Sequence, residues 1–71
     1  MPEVRAEMVA NVWKVVTAEG EEVSDGSTLV ILESMKMEMP IEAPDAGTVK
    51  EVRCQPAQAV NEGDVLVVLD P

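Results

Sequence analysis

The chain has 71 residues, a formal net charge of −9 and one cysteine, which limits it to one small domain without disulfides. Fourteen acidic residues against five basic ones argue against nucleic acid or an anionic membrane as a partner, because phosphate binding needs clustered Lys and Arg. No histidine is present and one cysteine is too few for zinc, so no metal site is expected. Without His or Tyr, acid–base catalysis has few groups available, which favours a carrier or binding role over an enzyme.

Residues 1–7 lack the basic start and the apolar run of a signal peptide. No apolar stretch approaches the roughly 20 residues needed to span a bilayer. A lone cysteine fits a reducing compartment, so we expect a soluble cytoplasmic protein. Because the chain starts at Met1 and stops at Pro71, directly after the last predicted strand, we also expect a complete small protein. We further expect it to be monomeric in isolation.

Short segments rich in Val, Ile, Leu and Met predict β-strands along the whole chain. Turn signals such as Asp25-Gly26 and Glu62-Gly63 separate these segments, and no helical stripe of apolar residues runs longer than a turn or two. In chain order, the predicted strands cover residues 4–9, 12–17, 29–32, 38–43, 49–54 and 65–69.

The two halves of the chain follow one pattern and align without a gap when the sequence is shifted by 37 residues. The strongest match is between residues 23–26 (VSDG) and 60–63 (VNEG), each followed by an apolar run that ends in an acid. Two similar β units should stack, giving an all-β flattened barrel or sandwich with approximate two-fold symmetry. The predicted core is aliphatic and consists of Val12, Val23, Leu29, Ile31, Val49, Val60, Leu66 and Val68.

The repeated halves cover about residues 6–33 and 43–70, so residues 34–39 should form a hairpin that projects at one edge, with the termini near the opposite edge. A two-residue turn prefers Asn-Gly or Asp-Gly, because its central residues need positive φ. Here the candidate central residues are Met35 and Lys36. A sequence that breaks a local rule often does so for function, and a lysine at a tip offers an acylable amine on a long stem.

A plainer interpretation of the hairpin also exists. A lysine at a turn is usually just solvated, and Met35, Met37 and Met39, at a spacing of two, could belong to the core. Glu33 and Glu38, which flank the tip, could pair with basic groups of a partner or simply keep the hairpin soluble, and the second is our default. The position of the segment midway between two repeats favours the functional interpretation.

Residues 34–37 (SMKM) resemble the biotin attachment motif, usually Ala-Met-Lys-Met, of the biotinyl/lipoyl attachment family. Residues 43–44 (AP), 47–49 (GTV) and 62–66 (EGDVL) also resemble that family, and the likeness covers essentially the whole chain. It resembles the small stand-alone biotin-carrier-like proteins that consist of this domain only. The resemblance implies a barrel-sandwich hybrid of two four-stranded antiparallel sheets, with Lys36 at an exposed hairpin turn.

The resemblance also implies a biotin carboxyl carrier with no catalysis of its own. A biotin protein ligase would attach biotin covalently to Lys36. A biotin carboxylase would then carboxylate the ureido nitrogen, and a carboxyltransferase would pass the carboxyl group to an acyl-CoA or a keto acid. Met35 and Met37 match the motif positions that flank the lysine, so they would serve recognition by the ligase and the carboxylase, and Ser34 stands in place of the commoner Ala. Glu33 and Glu38 complete the candidate recognition motif.

Three alternatives stay open. A lipoyl carrier shares the fold, but its motif resembles Asp-Lys-Ala, so Met35 and Met37 favour biotin over lipoate. An unmodified β-barrel adaptor would bind a protein partner without using the lysine. The chain could also be a detached domain of a larger carboxylase.

Four other residues are candidates for a role. Trp13, the only aromatic residue, has Lys50 as its repeat equivalent, which predicts a surface position. There it either anchors a partner or covers part of the barrel. Lys14 and Lys50 are rival acylation candidates, but neither lies at a predicted tip. Cys54 is predicted to be a small apolar filler near a strand end.

Overall fold

The fold is all-β and consists of two four-stranded antiparallel sheets. The computed structural model describes residues 2–71, and in that range no helix is long and apolar enough to cross a membrane. The strands are β1 (Glu3–Arg5), β2 (Ala10–Val15), β3 (Glu22–Val23), β4 (Thr28–Ser34), β5 (Met37–Glu42), β6 (Gly47–Val52), β7 (Ala59–Val60) and β8 (Val65–Asp70).

Each sheet takes strands from both halves of the chain. The first sheet has the order β1-β8-β6-β3 and the second has the order β5-β4-β2-β7. Replacing every strand by its counterpart 37 residues away converts one order into the other, and β2 and β3 coincide with β6 and β7 at both ends. The sequence repeat is therefore a pseudo-two-fold symmetry that exchanges the two sheets. No strand pairing joins the sheets within residues 2–71, so the flattened barrel is unclosed.

The repeated VSDG and VNEG blocks form equivalent turns that bind the opposite half of the chain. Gly26, with φ of 88°, donates its N–H to the Ala43 carbonyl at 2.9 Å. Gly63, with φ of 91°, donates its N–H to the Ala6 carbonyl at 2.8 Å. Glycine adopts such φ values without a Cβ clash, which explains why this residue occurs in both blocks.

The core between the sheets is aliphatic, as predicted. Val12, Leu29, Val49, Val60 and Leu66 are all buried, and Val23 packs partly buried against them. Burial of an aliphatic side chain of this size contributes about 1.5–3 kcal/mol, so these positions carry much of the stability of a small domain.

Two predicted core residues lie outside the main core cluster. Ile31 is only half-buried and pairs with Lys14 and Pro40 on the outer face of the second sheet. Its equivalent Val68 is buried but lies outside the main core cluster. Their preceding neighbours, Val30 and Val67, occupy the core instead, because register shifts in the β4–β5 and β1–β8 pairings break the strict alternation of buried and exposed residues.

The strand boundaries also differ from those predicted. β1 ends at Arg5 rather than at residue 9, because the next residue, Ala6, bonds to the turn at Gly63. β2 and β6 begin and end two residues earlier than predicted, whereas β4 extends the prediction at both ends. β3 and β7 were not predicted, because two-residue strands are too short to show a pattern.

The two ends of the described chain lie side by side in the first sheet. β1 pairs with β8, with Glu3 opposite Val68. The Pro2 carbonyl accepts a hydrogen bond from the Leu69 N–H at 2.9 Å. Residues near both termini are therefore anchored by backbone hydrogen bonds to one place in the fold.

A second pair of equivalent turns carries an unequal conformational cost. Gly20 has φ of 87° and donates its N–H to the Val49 carbonyl at 2.7 Å. Its equivalent Ala57 has φ of 70° and donates to the Val12 carbonyl at 2.8 Å. The left-handed conformation costs a residue with a Cβ about 1 kcal/mol, a cost that glycine avoids.

We therefore predict that Ala57→Gly raises the free energy of unfolding by about 0.5–1 kcal/mol, since relief of the φ strain exceeds the added entropy of the unfolded chain. The reciprocal Gly20→Ala should lower the free energy of unfolding by a similar amount, because only the backbone conformation opposes a Cβ there. Urea denaturation of both variants measures the two effects. Changes of the same sign would contradict the assignment of strain to Ala57.

The turn before β3 contains a carboxylate held by two donors. The buried Thr17 hydroxyl donates to Glu21 Oε1 at 2.7 Å, and the Ala18 N–H donates to the same oxygen at 3.1 Å. The Thr17 hydroxyl first and the Ala18 amide second lower the pKa of Glu21 below its usual range. The charged form of Glu21 therefore stabilises the folded state.

Because the pKa of Glu21 is lower in the folded state, this stabilisation is present above the usual glutamate pKa of about 4.3 and disappears as the pH falls through the folded value. We predict that the free energy of unfolding decreases more steeply below about pH 4.3 in the parent than in Glu21→Gln. Urea denaturation across this pH range tests the difference. Glu22→Gln is the control, since it removes a neighbouring charge without touching the bonds to Thr17 and Ala18.

Candidate functional site

The hairpin between β4 and β5 closes with a two-residue turn. Ser34 pairs with Met37, which leaves Met35 and Lys36 as the central residues. Their φ values are 53° and 65°. Positive φ at both central positions characterises the type I′ turn, whose twist matches that of the flanking strands. The structure thus places Lys36 at the tip of the hairpin.

Both central residues adopt a conformation that their side chains disfavour. Asn-Gly would form this turn without strain, whereas Met35 and Lys36 each incur a cost of about 1 kcal/mol. The register of β4 and β5 is unbroken from the turn to the Val30–Ile41 pair, so the ladder next to the turn holds it in place. Backbone strain that a rigid frame maintains is typical of functional sites.

The side chains of the tip are open to solvent. Met35 is 92% exposed and Met37 is 66% exposed. Lys36 is exposed as well, and its side chain makes no hydrogen bond or ion pair with any residue in the range 2–71. An incoming enzyme can therefore reach the amine from several directions, and a group attached to it would meet no wall of the domain. These features fit a covalent carrier position.

The register separates the remaining motif residues between the two faces of the sheet. Ser34 and Met37 continue the inward-facing row of Leu32, at the end of the core. Glu33 and Glu38 pair directly with each other on the outward-facing row. Two like charges in a cross-strand pair destabilise a hairpin, so this pair is a second local cost beside the lysine. The sequence pointed to both glutamates, but only the strand register reveals that they face each other.

The rival lysines lie within strands. Lys14 is in β2, and Lys50 is in β6 at the position equivalent to Trp13. The strand register shifts at Trp13 in β2 and at Lys50 in β6. Each shift is a β-bulge, in which β2 or β6 has one residue more than the strand it pairs with. Trp13 is 48% exposed, which confirms the surface position predicted from its equivalent. Neither Lys14 nor Lys50 has the projection that Lys36 has.

Cys54 does not compete with the lysine as a nucleophile. It is buried at the margin of the core, just after β6, as the sequence predicted. Desolvation by burial raises the pKa of its thiol. A raised pKa leaves less of the reactive thiolate than in a free cysteine, so Cys54 is a weaker nucleophile.

Sequence reasoning did not single out Met8 and Val9, two exposed apolar residues that immediately precede β2. A signal was present in the repeat, because their equivalents are Asp45 and Ala46. An apolar residue that replaces a charged or small one at an equivalent surface position is not explained by the fold.

Residues 1–69 match the family model described as "Biotin-requiring enzyme", which covers biotin and lipoyl attachment domains. The chain belongs to this biotin/lipoyl attachment family. The family confirms the resemblance seen in residues 34–37, and it confirms biotin as the cofactor that the resemblance implied.

Two curated relatives match nearly the whole chain. The Biotin/lipoyl attachment protein of Bacillus subtilis (strain 168) is 48% identical over 66 residues, which cover 93% of this chain and 90% of that protein. The Biotinylated protein TB7.3 homolog of Mycobacterium leprae (strain TN) is 45% identical over 67 residues, which cover 94% of each. The chain therefore has relatives of its own length.

A similar domain also occurs inside a large solved carboxylase. The chain superposes on a single-chain, multi-domain long-chain acyl-CoA carboxylase with a TM-score of 0.87 and 38% identity. The match covers 93% of this chain and only 7% of that one. The likeness confirms the predicted fold, and homologous domains belong to biotin-dependent carboxylases.

The strain at the tip leads to a prediction about stability. Met35→Gly should raise the free energy of unfolding by about 0.5–1 kcal/mol, because glycine relieves the positive φ. The control Met37→Gly should lower the free energy of unfolding, since Met37 lies in a strand, where glycine is unfavourable. Urea denaturation of both variants tests this, and a destabilised Met35→Gly would contradict the assignment of strain.

Proposed function

We propose that residues 1–71 act as one biotinyl domain whose biotin is attached to Lys36. The observation that carries this proposal is the exposed turn itself, in which a lysine is held at positive φ on a rigid β-hairpin. Membership of a biotin-requiring family identifies the cofactor, and the turn presents a lysine with an unobstructed side chain at the hairpin tip. Lys14 and Lys50 lie within strands and are not assigned this role.

The attachment requires only one group from the domain. The lone pair of Lys36 Nζ, once deprotonated in the ligase active site, attacks the activated carbonyl of biotinyl-adenylate. A C–N bond forms, the bond from the carbonyl carbon to the phosphate oxygen breaks, AMP leaves, and Nζ releases a proton. The ligase supplies the base and the binding of AMP, so the domain needs no acid–base machinery. This division of labour fits a chain without His or Tyr.

The domain then acts as a non-catalytic carrier between a biotin carboxylase and a carboxyltransferase. Bound biotin supplies a ureido nitrogen that accepts and releases a carboxyl group. The β4–β5 ladder fixes the base of the arm, and the four-carbon stem of Lys36 rotates above it. Tethering raises the effective concentration of the carried group at each active site that the arm can reach.

Five residues around the lysine form the proposed recognition motif. The thioethers of Met35 and Met37 are flexible and polarisable, which suits docking against more than one enzyme surface. Glu33 and Glu38 present paired carboxylates to a basic partner, and binding there relieves their mutual repulsion. Ser34 occupies the small position before Met35, at the end of β4.

The proposed class of carboxylase is the acyl-CoA type. Supporting this choice, the long-chain acyl-CoA carboxylase contains a domain of the same fold at 38% identity. The proposed partners are accordingly a biotin protein ligase, a biotin carboxylase and an acyl-CoA carboxyltransferase.

Intact-mass measurement after incubation with a biotin protein ligase, ATP and biotin tests the proposal. We expect the parent to gain one biotinyl group and Lys36→Arg to gain none, because a guanidinium is not acylated. Lys14→Arg and Lys50→Arg are matched controls and should be labelled like the parent.

An unlabelled but folded parent would contradict the assignment, and the same assay with a lipoate ligase would then test lipoylation. Labelling that persists in Lys36→Arg would move the site to another lysine. A labelled parent that fails to accept a carboxyl group from any acyl-CoA carboxylase would contradict the carrier role while leaving Lys36 as the biotinylation site.

A further inference from the structure

The pseudo-two-fold symmetry gives each surface residue of the first half an equivalent that meets the same demands of the fold. All large apolar side chains exposed within residues 2–71 lie in the first half or in the hairpin. Those of the first half are Met8, Val9, Trp13 and Val16, and their equivalents are, in the same order, Asp45, Ala46, Lys50 and Arg53. The fold is thus compatible with charged or small residues at these positions. Packing within the fold therefore does not explain why the first half has exposed apolar side chains there.

Three of the four lie close to the hairpin. β2 runs antiparallel to β4, with Asn11 opposite Glu33, so the start of β2 adjoins the end of β4. Met8 and Val9 directly precede this start and therefore lie at the hairpin end of the sheet. Trp13 lies in the bulge of β2 near Ile31, which is three residues, or about 10 Å, along β4 from Ser34.

We use the name shoulder for the solvent-accessible apolar residues at this end and on this face of the second sheet, defined as Met8, Val9, Trp13, Ile31 and Pro40. Ile31 and Pro40 belong to it because they pair with each other on the outward-facing row. The Glu33–Glu38 pair lies on the same outer face, between this row and the hairpin tip. A matching partner therefore combines an apolar slot for Trp13 with basic groups opposite the two carboxylates, consistent with a domain of net charge −9.

We propose that the shoulder is the docking surface for the biotin protein ligase, an inference that rests on the proposed function of Lys36. The ligase acts before any biotin is attached, so it must distinguish Lys36 from Lys14 and Lys50 by the protein surface alone. The carboxylase and the carboxyltransferase have biotin itself as a handle. A ligase seated on the shoulder also covers Lys14, which neighbours Trp13, and leaves Lys50 uncovered on the other sheet.

A repeat-swap variant tests this surface with substitutions that the fold already contains. Met8→Asp, Val9→Ala and Trp13→Lys together install the residues found at the equivalent positions, and the net charge does not change. We expect kcat/KM for biotinylation to fall at least about tenfold, chiefly through KM, because apolar anchors of this kind dominate interface energies. Val16→Ser is the control and should stay within about twofold of the parent, because Val16 is 47% exposed but lies beyond β2, away from the hairpin.

A second measurement does not use the repeat-swap variant and so does not depend on the stability of that variant. Trp13 is the single tryptophan, so 5-fluorotryptophan labelling of the Lys36→Arg domain gives one ¹⁹F resonance. Adding unlabelled ligase should shift this resonance. In the same complex, acetic anhydride should modify Lys14 several-fold more slowly than in the free domain, whereas Lys50 should react at an unchanged rate.

The outcomes separate the two proposals. Failure of the ligase to biotinylate the parent contradicts the proposed function and the docking surface with it. A biotinylated parent with an equally reactive repeat-swap variant overturns the docking surface alone, as does an unshifted ¹⁹F resonance at saturating ligase. A swap variant that is biotinylated normally but accepts carboxyl groups poorly would assign the shoulder to the carboxylase instead, and the ligase assignment would be wrong.

Discussion

Neither half of the chain can bury its apolar face without the other, and the whole structure depends on this reciprocal burial. The halves exchange strands, so each sheet contains both, and the turn glycines Gly26 and Gly63 donate to carbonyls of the opposite half. A chain of 71 residues buries a limited share of its surface, and reciprocal packing brings aliphatic residues from both halves into one core. The frame that results holds the hairpin where the two halves join.

The junction concentrates the unfavourable local choices that this frame supports. Met35 and Lys36 hold positive φ, and the paired carboxylates of Glu33 and Glu38 repel each other within the same hairpin. A sequence optimised for stability alone would use Asn-Gly at the tip and opposite charges beside it. The proposed function accounts for these choices, because a partner enzyme would recognise the side chains of the lysine and its neighbours rather than the conformation of the turn.

The repeat made much of this fold accessible from the sequence, because one alignment predicted two equivalent halves, a joining hairpin and the exposure of Trp13. Features that depend on register were not accessible. The interchange of Ile31 and Val30 follows from a shift in strand pairing that no alternation pattern reveals. The positive φ of Ala57 carries no glycine signal, although its equivalent Gly20 hinted at it. The exposure of Met8 and Val9 could be predicted only by comparing them with their equivalents in the second half, Asp45 and Ala46.

The hydrogen bond between Pro2 and Leu69 has a consequence for larger proteins that contain such a domain. In a polypeptide that continued in both directions, the chain would enter and leave the domain at neighbouring points. The domain would then be attached to the rest of the protein at one place only. Two linkers leaving side by side act as one hinge, about which the whole body can swing. The movement of the lysine side chain would then be smaller than the movement of the whole domain. The length of the linkers would set how far the domain could travel between two active sites.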